Sequence, residues 1–220
     1  MKNNIYRHID VLIERRPELS VCKNNIREAY NILSHAYSEG GKLLVCGNGG
    51  SASDSEHIVG ELMKEFRLKR EVYKNQMDAM KRIDIELGTI LAEHLQGALP
   101  AISLTGHSSL TTAYMNDEQP ELIFAQQVNG YGNQGDVFMG ISTSGNSRNV
   151  LFAAVTAKAK RLHVIGLTGQ KPCRLAQLAD ICIQVPETET HKIQELHLPV
   201  YHCICMMLEE QFFGNKQTIL

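Results

Sequence analysis

Apolar positions recur first at helical spacing and then in short runs, and the change of period falls near residue 40. Ile5, Ile9, Leu12 and Ile13 make one stripe and Ile26, Tyr30, Leu33 and Ala36 another, which predicts two amphipathic helices within residues 1–40. Pro17 separates them, Ser20 offers a cap to the second, and Gly40-Gly41 stops it. Beyond that point, residues 42–46, 101–104, 136–141, 162–168 and 181–185 are short apolar runs of strand type. The stretches between them have helical length, as at 121–130 and 146–160, so the pattern predicts an α/β fold with a doubly wound, five-stranded parallel sheet. Residues 63–100 read as a long helical segment, with Tyr73, Met77, Met80, Ile83, Leu87, Ile90 and Leu91 at helix spacing. The basic flank from Lys64 to Arg70 reads as a solvated helix face. A last helix is predicted from about Thr190 to Phe213, with a kink at Pro199.

An open parallel sheet binds ligands beyond the carboxyl ends of its strands, which directs attention to two loops. The first, Gly47-Asn48-Gly49-Gly50-Ser51, lets the backbone approach a ligand, places Ser51 as a helix cap and turns free amides toward negative charge. It lacks the third glycine of GxGxxG and the GK[ST] ending of a Walker A loop, which argues against dinucleotides and nucleoside triphosphates. The second loop carries Ser142, Thr143, Ser144 and Ser147 around Gly145-Asn146. Four hydroxyls at a helix start exceed what capping needs and can surround a phosphate without a lysine. Between the loops in sequence, His57 and Glu61 share one helix face, suited to a metal or to proton transfer. The last helix adds Gln194, Glu195, His197 and His202, and spacing alone does not choose between the two histidines.

Composition narrows the class. At 220 residues and 43% hydrophobic content the chain supports one substantial core, so a single domain over 1–220 is expected. A formal charge of −2 gives no whole-molecule attraction to nucleic acid or membrane, and a small-molecule partner is expected instead. No apolar run approaches the ~20 residues of a membrane span, and no signal-peptide core follows Met1-Lys2-Asn3-Asn4, which predicts a cytoplasmic protein. The six cysteines form no CxxC pair, and several lie in apolar runs, so reduced core thiols are expected.

Four blocks together, CGNGGSASDSEHIVGEL, the ND at Asn116-Asp117, GDVFMGISTSGNS and KIQELHLPVYH, closely resemble the sugar-isomerase (SIS) domain family, and within it the phosphoheptose isomerases. The resemblance implies a flavodoxin-like SIS fold and an aldose-ketose isomerase acting on sedoheptulose 7-phosphate. It implies substrate binding by Asn48, Gly49, Gly50, Ser51, Glu61, Asn116, Asp117, Ser142, Thr143, Ser144, Ser147 and Gln194. It also implies zinc held by His57, Glu61, Gln194 and His202, with Glu61 and His202 as the acid/base pair, and so favours His202 over His197. A homotetramer with the N-terminal helices between subunits is a further implication. The chain departs from many members in its extra stretch at 64–99, in Pro199, and in His191 where some members carry an acid. A second reading is a non-catalytic member, a sugar-phosphate sensor or an adaptor of the kind that binds DnaA. Those adaptors lack the acid matching Glu61, and its presence here weighs for catalysis.

Overall fold

The computed structural model describes residues 5–214. Five strands, β1 (Leu43–Cys46), β2 (Ala101–Ser103), β3 (Val137–Ile141), β4 (His163–Gly169) and β5 (Ile181–Val185), pair in parallel in the order β2-β1-β3-β4-β5. The predicted sheet is therefore present with all five strands. Sequence order reverses between β1 and β3, and a ligand crevice opens beyond the carboxyl ends of strands at such a switch point. The two loops singled out by their chemistry follow those two strands.

Alternation along the strands builds two cores. Leu43, Val45, Val137, Met139 and Ile165 face one side, and there they meet buried residues of α1 (Arg7–Arg15), α2 (Lys23–Ser38), α3 (Gly50–Met63) and the terminal helix. Leu44, Cys46, Phe138 and Val164 face the other side, covered by Phe124, Val150, Ala154 and Leu175 from the helices there. The apolar stripes of α1 and α2 are thus used within this chain: Ile9, Leu12, Ile26 and Leu33 are buried, and Tyr6, Val11 and Val21 stay exposed. All six cysteines are free and buried, as expected. No helix among the described residues is long and apolar enough to cross a membrane.

The segment expected to be one long helix is two, α4 (Lys74–Ile83) and α5 (Ile85–His94). Asp84 breaks it by taking an extended conformation and accepting the Leu87 amide at 2.8 Å, a side-chain cap for α5. Gly88 lets the pair close, since a Cβ there would lie 2.5 Å from Met80 backbone. Residues 64–73 are not helical, so the basic flank is no helix face; Lys64, Glu65, Arg67, Leu68 and Lys69 are exposed as expected, but the last member of the run is not. Arg70 is 1% exposed, and its guanidinium donates to Glu209, Leu62 O and Glu61 O at 2.7–2.8 Å. A further helix, α6 (Ser108–Asp117), was not anticipated, and it buries no residue. The chain continues through α7 (Ile123–Tyr131), α8 (Arg148–Ala159), α9 (Arg174–Leu178) and α10 (Thr190–Phe213), the last running unbroken through Pro199.

Candidate active site

The first loop turns at Gly49, whose φ of 56° and ψ of −122° suit glycine alone. That turn starts α3 at Gly50, so Ser51 lies inside the helix, 3% exposed, and does not cap it as expected. In the second loop Gly145 has φ 62°, and a Cβ there would lie 2.2 Å from Cys173 Sγ. Ser142 Oγ and Ser147 Oγ are 3.0 Å apart, and Ser147 stands at the start of α8 without capping it. Asn48 and Asn149 join the loops through two side-chain hydrogen bonds of 2.9 and 2.8 Å. Two helix N-termini without side-chain caps thus flank a rim of hydroxyls, an arrangement that attracts an anion. Asn149 was not foreseen.

α3 and α10 pack together on one face of the sheet, and this brings distant residues into one cluster. His57 Nε2 lies 2.9 Å from Glu61 Oε1 and 3.4 Å from His202 Nε2. Ligating atoms of the three residues all fall within 4.8 Å of one another. Glu61 Oε2 is buried and has no hydrogen-bond partner. A half-buried carboxylate with one bare oxygen beside two imidazole nitrogens is a donor set that fits a divalent cation such as zinc. Gln194, also on α10, packs its side-chain amide against Gly50: a Cβ on that glycine would lie 2.5 Å from Gln194 Nε2. It therefore sits where the glycine loop meets α10.

Burial, and after it the neighbouring His57, pull the His202 imidazole below its ordinary pKa, while Glu61 opposes the shift. His197 is fully buried, and burial takes its imidazole down to about 4. The Thr168 backbone is close enough to oppose that shift, yet neither ring nitrogen makes a hydrogen bond. The structure thus separates the two histidines, with His202 in the cluster and His197 in the core. Asn116 and Asp117 lie exposed at the end of α6, and Asn116 donates to Asp117 at 2.9 Å. Among the described residues, neither hydrogen-bonds to the phosphate loops or to the cluster. Two residues not singled out from sequence adjoin the cluster, Asp54 and Tyr201. Asp54 was within reach by spacing, three residues before His57, whereas Tyr201 depends on how α10 packs.

The fold and this site define a sugar-phosphate-binding protein of the SIS class. A model of the SIS domain matches residues 14–83 and 76–169. A phosphoheptose isomerase of Aneurinibacillus thermoaerophilus is 35% identical over 219 residues, 98% of each chain. Among solved structures, phosphoheptose isomerases from Francisella tularensis and Neisseria gonorrhoeae superpose with TM-scores of 0.73 and 0.71 at 30% identity. They cover 94% and 93% of this chain and 97% and 96% of their own. The chain belongs to the phosphoheptose isomerase family of SIS-domain proteins, and it is a sugar-phosphate isomerase.

Proposed function

We propose that the enzyme interconverts sedoheptulose 7-phosphate and D-glycero-D-manno-heptose 7-phosphate through an enediolate. The observation that carries this reading is the convergence of Glu61 and His202, from α3 and α10, at one end of a helix whose other end faces the hydroxyl loop. Seven residues of α3 separate Gly50 from His57, about 10 Å of helix rise, a span that suits a long sugar chain with a terminal phosphate. Ser142, Thr143, Ser144 and Ser147, with Asn48, Gly49, Gly50 and the two helix starts, hold the phosphate. Its binding energy fixes the reacting carbons beside the carboxylate. We assign Asn116, Asp117, Ser51 and Gln194 to the sugar hydroxyls by resemblance.

Glu61 takes the proton from the carbon next to the carbonyl and returns it to the neighbouring carbon. His202, whose imidazole burial pulls below its ordinary pKa, moves hydroxyl protons and assists ring opening. His57, Glu61, His202 and Gln194 would hold zinc, which supplies a Lewis acid for the developing oxyanion. The N–O–N donor set of the cluster supports that assignment. We assign the protein to the cytoplasm and to a homotetramer, with the outer surface of α1 and α2 at the interface.

The test is incubation with sedoheptulose 7-phosphate followed by product identification, with and without chelator. The expected result is the aldose phosphate, lost on chelation. If wild type and Glu61→Gln both bind ketose phosphates and convert none, the non-catalytic sensor reading replaces this one.

A further inference from the structure

Behind His57, on the side away from Glu61, lie two side chains that the reaction itself does not use. Tyr201 Oη is 3.2 Å from Asp54 Oδ1 and 3.0 Å from His57 Nδ1. Tyr201 is 2% exposed, and its ring meets that of His57 edge to face, with centroids 5.5 Å apart. Asp54 and His57 are three residues apart on α3, so both project toward α10.

The hydroxyl has one proton and two neighbours that could receive it, and the choice follows from counting donors. Asp54 Oδ2 is buried and has no hydrogen-bond partner, and Oδ1 has only Tyr201. Were Tyr201 to donate to His57 Nδ1, the Asp54 carboxylate would keep no donor at either oxygen, which is costly for a buried charge. Donation to Asp54 leaves Tyr201 Oη free to accept, and His57 must then supply a proton from Nδ1. The neutral ring then carries no proton on Nε2, and Glu61 Oε1, 2.9 Å from that nitrogen and with Oε2 also bare, is left to a cation in the cluster for its partner.

We propose that Asp54 and Tyr201 form a carboxylate–tyrosine–histidine relay that, with a cation in the cluster, holds His57 in its Nδ1–H form and so turns an Nε2 lone pair to the cation. Asp54 and Tyr201 are positioning residues, acting through His57 rather than on substrate. A histidine held in this way is a better ligand, because its ring is oriented and its basicity raised by the hydrogen bond behind it. The relay rests on the zinc reading above.

The experiment uses the full chain loaded with zinc, its histidines labelled with nitrogen-15. The His57 Nδ1 proton is expected to exchange with solvent slowly in wild type and faster in Tyr201→Phe. Competition titration with a chromophoric chelator is expected to show zinc affinity lowered by about 10- to 100-fold in Tyr201→Phe, and lowered in the same direction in Asp54→Asn. Phenylalanine keeps the ring packing, and a melting curve close to wild type confirms that the fold is retained. Zinc bound by wild type and by both variants with the same affinity and the same proton exchange overturns the relay and leaves the zinc assignment standing. Zinc bound by none of the three overturns both.

Discussion

At the residue scale, three histidines on two helices end in different states, and burial sorts them. His57 and His202 share the cluster, whereas His197 is enclosed, with its pKa depressed to about 4. In the unfolded chain a histidine titrates near 6.5, so between these values the unfolded state binds a proton that the folded state refuses. Stability contributed by keeping His197 neutral is thus present above pH ~6.5 and is lost as pH falls toward ~4, at up to about 1.4 kcal/mol per pH unit. Urea unfolding at a series of pH values should show a shallower acid loss in His197→Phe than in wild type; identical slopes would contradict the assignment. The hydroxyl loop has its own single-residue test. Gly145→Ala meets both the positive φ and the Cys173 thiol, a strain of about 1–3 kcal/mol that should displace the phosphate grip. It is expected to raise KM about tenfold or more with a smaller change in kcat, read by steady-state kinetics.

At the element scale, the segment after α3 departs most from what the residue pattern suggested. Lys64 to Arg70 reads as a solvated basic run because five of its seven positions are charged, and nothing in that run announces a partner at Glu209. In the folded chain Glu209 accepts from the Phe66 and Arg67 amides and from Arg70 Nε, and Arg70 in turn holds the carbonyls of Glu61 and Leu62. The guanidinium satisfies carbonyls at the end of α3, next to the Glu61 carboxylate of the cluster. Arg70→Met leaves Glu209 buried without its cation and is expected to cost about 3–5 kcal/mol by urea unfolding. Adding Glu209→Gln should recover part of that loss. The strands were legible because five short apolar runs have no competing periodicity. α6 was not, since it buries no residue and its stability owes nothing to an apolar stripe. The break at Asp84 was also readable in principle, as an acid three residues before an unsatisfied helix amide, but the apolar spacing runs across it.

At the scale of the whole molecule, the topology explains why remote sequence blocks make one site. The order β2-β1-β3-β4-β5 puts the β1 and β3 loops side by side at the switch point, and α3 and α10 pack together on one face. The sequence showed which loops could bind an anion; the resemblance, not spacing, singled out His202, and packing then placed it beside His57. The relay through Asp54 and Tyr201 needed coordinates, because no spacing rule links α3 to α10. A groove of about 740 Å³ opens beside His202 between α1, the 64–70 segment and α10, and Arg7, Arg15, Arg16 and Arg67 line it. Sedimentation is expected to give a tetramer, and a fully active monomer would remove the N-terminal helices from the interface assignment.

The proposed reaction turns on a proton carried by Glu61 between adjacent carbons of a sugar phosphate. Its most direct measurement is turnover of sedoheptulose 7-phosphate in heavy water, followed by nuclear magnetic resonance. Wild type should form the aldose phosphate with deuterium at the carbon beside the new carbonyl, and Glu61→Gln should be slower by about 100-fold or more in both conversion and exchange. Conversion at the wild-type rate in Glu61→Gln, or exchange that does not depend on residue 61, would contradict it.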